Sequence, residues 1–67
     1  MHPFEKICEE YDISRYRLAQ LAGLNEGSLN TAIRRNSDYR EMRAKTIINL
    51  AKGLGISVDE LLSKLES

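Results

Sequence analysis

The chain lacks most of what a catalytic or secreted protein is built from. Its single cysteine, Cys8, cannot form an internal disulfide, so no oxidised framework is expected. The single histidine, His2, sits where a frayed terminus is expected, and no His or Asp lies at ligand or triad spacing from Cys8. Cys8 therefore reads as a small core residue. A glycine-rich phosphate loop is missing as well. Glu9 and Glu10 are neighbours in a helical pattern and face different directions, which suits a solvated surface better than paired acid–base work. These absences leave no catalytic residue, no metal ligand and no cofactor, and no small-molecule substrate is expected.

Long apolar runs are also missing. Nothing approaches the ~18 residues of a membrane span, and the opening MHPFEKICEE has no stretch that could serve as a signal peptide, so a soluble, cytoplasmic protein without membrane contact is expected. Net charge is missing too: ten basic residues face ten acidic ones, with a pI near 6.6. That neutrality does not advertise a polyanionic partner, but the distribution is uneven. Residues 1–13 set Lys6 against Glu5, Glu9, Glu10 and Asp12, a balance of −3. Residues 34–45 set Arg34, Arg35, Arg40, Arg43 and Lys45 against Asp38 and Glu41, a balance of +3. A molecule polarised in this way would orient on a polyanion, with the acidic N-terminal helix lying elsewhere.

What is present is helical periodicity. Sixty-seven residues make one domain, expected over 1–67, and domains of this size bury only roughly 60% of their unfolded surface, enough for one compact core. The most informative stretch is SRYRLAQLAGLNEGSLNTAIRR, from Ser14 to Arg35. It holds two short amphipathic patterns, with Leu18, Ala19 and Ala22 on one face of the first and Leu29, Ala32 and Ile33 on one face of the second. Gly23 is suited to the positive φ that ends a helix, and Asn25 to capping the next one. A connection this short forces two helices that share a core to cross steeply, the geometry of a helix-turn-helix.

The rest of the chain follows the same logic. Pro3 suits a first helical position, and Phe4, Ile7, Cys8 and Tyr11 repeat at core spacing over about 3–12. Ser14 caps a second helix over 15–22 and Asn25 a third over 26–35, with Glu26 in its first turn. NSDYREM, residues 36–42, reads as a loop. A fourth helix, 43–54, turns Ile47, Leu50, Ala51 and Leu54 inward and stops at Gly55. Ser57-Val58-Asp59-Glu60 has the pattern of a capping box opening a fifth helix over 58–65, with Leu61, Leu62 and Leu65 on its core face. The expected fold is all-α, a compact five-helix bundle around a central helix-turn-helix.

Ser14, Leu18, Ala19, Gly23, Leu24 and Leu29, together with the run NLAKGLGISVDELL from Asn49 to Leu62, resemble the phage repressor and Cro (XRE) type of helix-turn-helix domain. The resemblance covers about residues 4–65 and implies a lambda-repressor-like bundle whose third helix enters the major groove of double-stranded DNA. It implies a transcriptional regulator that occupies a promoter or operator, often as a two-fold dimer.

Helix geometry then nominates the readers. Opposite the apolar face of the third helix lie Gly27, Ser28, Thr31, Arg34 and Arg35, with Asn30 on the flank and Glu26 at the tip. Ser28 and Thr31 can bond base edges, Asn30 can pair bidentately with adenine, Glu26 can accept from cytosine, and Arg34 or Arg35 can reach guanine or phosphate. Where relatives often carry Gln or Arg, this chain has Glu26, Gly27 and Ser28, which offer few long contacts and point either to modest specificity or to readout of DNA shape. By the resemblance, Arg15 is a backbone clamp, Arg40 and Arg43 lie where relatives carry basic residues near the phosphates or the minor groove, and Lys45 with Thr46, at the start of the fourth helix, is a further phosphate contact. Tyr16 is a phosphate donor or a residue packed on the loop, with packing favoured.

A homodimer would have to use the fifth helix, where Val58, Leu61, Leu62 and Leu65 offer more apolar surface than one small core needs. The alternative is a protein–protein interaction module, or an antitoxin-type partner-binding protein, using exposed apolar residues such as Tyr11, Val58 and Leu65.

Overall fold

The computed structural model describes residues 1–66; residue 67, the last of the expected domain, lies outside them. In order along the chain come α1 (Pro3–Tyr11), α2 (Arg15–Ala22), α3 (Glu26–Arg34), a 3-10 turn at Tyr39–Glu41, α4 (Ala44–Leu54) and α5 (Val58–Glu66). No strand occurs among the described residues. Each helix starts and stops within a residue or so of the expected position.

Local chemistry accounts for those boundaries. The Ser14 and Asn25 side chains accept hydrogen bonds from the backbone N–H groups of Arg17 and Ser28, and Ser57 Oγ accepts from that of Glu60. Each satisfies a donor that the first turn of a helix leaves without a partner. At the other end, α1, α2 and α4 close in one manner. A residue in the left-handed region, Asp12, Gly23 or Gly55, ends the helix. The amide of the next residue then bonds back across the last turn: Ile13 to the Cys8 carbonyl, Leu24 to Ala19, Ile56 to Ala51. Those three following residues are apolar and pack against the core, so each closure is also a hydrophobic clasp.

The end of α3 repeats the pattern with a difference. Asn36 takes the left-handed conformation, with φ of 54°, and the Ser37 amide bonds to the Ala32 carbonyl, but Ser37 brings no apolar side chain. Its carbonyl instead accepts from His2 Nε2 at 3.0 Å. This corrects the expectation for His2, which is only 6% exposed and far from frayed. Its Nδ1 accepts from the Phe4 amide at 3.1 Å, while Glu5 Oε1 accepts from the His2 amide at 3.1 Å, a reciprocal cap with Pro3 at the first helical position. Because Nδ1 accepts, the ring proton sits on Nε2 and is the one donated to Ser37. The signal lay in the spacing of Pro3 and Glu5 after His2; the Ser37 partner, 35 residues away, had no local signature.

The core joins all five helices: Phe4 and Ile7, Leu18, Ala19 and Ala22, Leu29, Ile47, Leu50 and Ala51, Leu61 and Leu65. Helix α2 packs on both α3 and α4, and α5 closes the bundle against α1 and α4. The α2–α4 approach is close because Gly53 has no side chain: a Cβ there would stand 2.8 Å from Leu21 Cβ. The segment expected to be a plain loop contains the 3-10 turn, capped by Asp38 Oδ1 accepting from the Arg40 amide, and the Tyr39 hydroxyl donates to Glu66 on α5 at 2.6 Å. Cys8 is half-buried, and burial pushes its thiol pKa up, the reverse of what an activated thiolate needs.

Candidate nucleic-acid interface

The candidate surface is built around α3. Leu29, fully buried, fixes the helix to the core, and Ala32 and Ile33 support it from half-buried positions. That leaves Glu26, Gly27, Ser28, Arg34 and Arg35 exposed, with Asn30 and Thr31 half-buried at the flank. The tip is stiffened by the Asn25 cap, whose Oδ1 accepts from the Ser28 amide at 2.7 Å. Gly27 stands beside this cap, where an added Cβ would lie 3.3 Å from Asn25 Oδ1.

Helix α2 contributes Arg15 at its start. Arg15 Nη1 donates to Asn30 Oδ1 on α3 and Nη2 to Glu5 Oε2 on α1, both at 3.1 Å. The guanidinium thus ties three helices together, and the acidic N-terminal helix, expected to lie elsewhere, reaches the edge of this surface through Glu5. Glu5 escaped the sequence reading because its bond to Arg15 depends on how α1 meets α2. Asn30, taken from the sequence as free to pair with adenine through both ends of its amide, has its oxygen engaged by Arg15.

Tyr16 does not pack on the loop. It is 57% exposed, and its hydroxyl accepts from Gln20 Nε2 at 3.2 Å, with Gln20 Oε1 in turn accepting from Arg17 at 3.3 Å. The phenol is held along the outer face of α2, one turn from Gln20.

Beside the α2–α3 turn lies a shallow concavity formed by Gly23 and Leu24 on one side and Arg43, Lys45, Thr46 and Asn49 on the other. Two exposed cations therefore flank the start of α4, where free amides and the helix dipole add positive character. Thr46 is only 9% exposed, so its side chain belongs to the floor of this concavity more than to its rim. Arg40 lies apart from it. Its guanidinium rests 5.7 Å from the centre of the Tyr39 ring, and the residue borders both the hollow of His2, Ser37 and Leu65 and the apolar surface of Ile48, Val58 and Leu62.

A sequence model of the Cro/C1-type HTH DNA-binding domain matches residues 4–64, most of the chain and all of the site. The chain belongs to the Cro/C1-type helix-turn-helix DNA-binding domain family. No curated protein and no solved structure matches it at a significant level. The Cro/C1-type assignment agrees with the all-helical bundle, in which α2 and α3 form the helix-turn-helix.

Apolar exposure in this Cro/C1-type domain is not where helix five alone would put it. Leu61 and Leu65 are core residues, so Leu65 is not available to a partner, and Tyr11 is half-buried beneath Lys64. The open apolar surface combines Val58, 38% exposed, and Leu62 of α5 with Ile48, 43% exposed, of α4, floored by the buried Ile47 and edged by Met42 and Tyr39. Among the described residues no helix is long and apolar enough to cross a membrane, and no group of three or more His, Cys, Asp or Glu could hold a metal ion.

Proposed function

We propose that this Cro/C1-type domain is a sequence-specific, cytoplasmic transcriptional regulator that places α3 in the major groove of its operator. The observation that carries the reading is that α3 is anchored through Leu29 on one side and presents Glu26, Gly27, Ser28, Thr31 and Arg34 on the other, in a chain whose family match spans 4–64. Ser28, Thr31 and Asn30 would read base edges, Glu26 would accept from a cytosine amino group, and Arg34 would reach guanine; each needs only the groove edge of one base pair. Arg35, Arg43 and Lys45 would grip phosphates on either side, with Tyr16 and Arg40 as outlying contacts and Thr46 in a minor role behind Lys45.

A single small domain makes few contacts, and a two-fold pair doubles them. The apolar patch of Ile48, Val58 and Leu62 supports a homodimer in which α4 and α5, rather than α5 alone, meet a second copy. The role is one of binding, with no chemical step.

Selection of bound duplexes from a random pool, followed by titration at several salt concentrations, tests the reading. The expected results are enrichment of one motif and an affinity that falls steeply as salt rises, because each phosphate gripped releases a counterion. A protein-interaction module would enrich no motif, and its apolar contact would be nearly indifferent to salt.

A further inference from the structure

The family resemblance implies a backbone clamp at Arg15, yet the structure gives its guanidinium two protein partners, Asn30 Oδ1 and Glu5 Oε2. Arginine has donors and no acceptor, so the atom of the Asn30 amide that faces it has to be the oxygen. That fixes which way the amide is turned. Nδ2 points away from Arg15 with both hydrogens, and no partner among the described residues takes it. The planar guanidinium is itself oriented from the far side, since Glu5 holds the second nitrogen and Glu5 is set in place by the reciprocal cap with His2 at the start of α1. The line of hydrogen bonds runs from α1 through α2 to the flank of the reading helix.

We propose that Arg15, oriented by Glu5, is a positioning residue for Asn30: it sets the amide so that Nδ2 donates to an acceptor on a base edge, and so governs sequence preference at one base pair that it does not touch. The inference rests on the reading of α3 as the recognition helix. Discrimination at that base pair belongs to the three side chains acting as a unit, and removal of the fork lets the amide rotate and blurs donor against acceptor. A lysine at this position keeps the positive charge available to a phosphate and gives up the planar fork that meets two oxygens at once.

The test compares the wild-type chain with Arg15→Lys, Asn30→Ala and the double variant, on the duplex selected by the wild type and on each of its single-base variants. The expected result is that Asn30→Ala loses discrimination at one base pair by between about fivefold and a hundredfold, the range of a well-placed base contact. Arg15→Lys is expected to lose at least fivefold at that same pair and to keep discrimination elsewhere, while the double variant loses no more than Asn30→Ala alone. A uniform loss of affinity on all duplexes from Arg15→Lys would make Arg15 a phosphate clamp and overturn the proposal. So would a loss at a different base pair, additive losses in the double variant, or unchanged discrimination in Asn30→Ala. Those outcomes overturn this proposal alone and leave the proposed function standing, whereas a wild-type chain that binds duplex DNA without preference, or binds none, overturns the proposed function with it.

Discussion

Replacing Gly53 by alanine sets two opposed effects against each other, and the structure decides between them. Glycine in the interior of a helix is disfavoured relative to alanine by about 1 kcal/mol, so on α4 taken alone Gly53→Ala should stabilise the domain by roughly that much. The added methyl, however, would stand 2.8 Å from both Leu21 Cβ and Leu21 Cδ2 and 3.2 Å from Leu21 Cγ. Carbon atoms in contact prefer about 3.5–4.0 Å, so the two helices must separate by several tenths of an ångström or more. Rotation of Leu21 can remove Cδ2 from the contact, but its Cβ is fixed to the α2 backbone and can yield only if α2 moves. Moving α2 disturbs Leu18, Ala19 and Ala22 in the core. Overpacking of this kind costs ~1–3 kcal/mol. The balance is a net destabilisation of about 1 kcal/mol, which in a domain of this size lowers Tm by roughly 4–8 °C. Thermal and urea unfolding followed by far-ultraviolet circular dichroism measures it directly. A variant more stable than the parent by about 1 kcal/mol would refute the close α2–α4 approach.

Leu29→Ala removes the side chain that anchors α3 and should cost ~2–5 kcal/mol, most of the stability of a small domain, as read from urea midpoints; a parental midpoint would mean that α3 is not held as described. Arg43→Ala should weaken binding to all duplexes alike and lower the slope of log affinity against log salt by about 1, with loss confined to one sequence counting against a phosphate contact. His2→Ala removes the α1 cap and the bond to Ser37, so a loss of ~1–2 kcal/mol is expected, with faster hydrogen exchange at the Phe4 amide; unchanged exchange there would contradict the cap.

The elements that were legible in the sequence are those whose causes are local. Gly23 and Asn25 fix the α2–α3 turn through a left-handed φ and a side-chain cap, each needing only neighbours within a few residues, and the spacing of Leu18, Ala19, Leu29, Leu50 and Leu61 marks the inward faces. What was not legible depends on how helices meet. The burial of His2 needs Ser37, the place of Gly53 needs Leu21, and the engagement of Arg15 needs both Glu5 and Asn30. The same applies to the apolar surface: periodicity assigns Leu61, Leu62 and Leu65 to one stripe, but only packing against α1 and α4 decides that Leu61 and Leu65 are buried while Leu62 joins Ile48 at the edge. Tyr16 escaped for the opposite reason, since its partner Gln20 is local but the pair faces outward, where apolar patterning is silent.

The central claim is that the polar face of α3 is a DNA-reading surface. Backbone amide shifts recorded while the selected duplex is titrated in at low ionic strength test it most directly. The largest changes are expected on residues 26–35, with a second group at Arg43, Ala44 and Lys45, while Glu9 and Glu10 on the outer side of α1 stay in place. If residues 26–35 are unmoved while the duplex is bound elsewhere, or not bound at all, the account is contradicted.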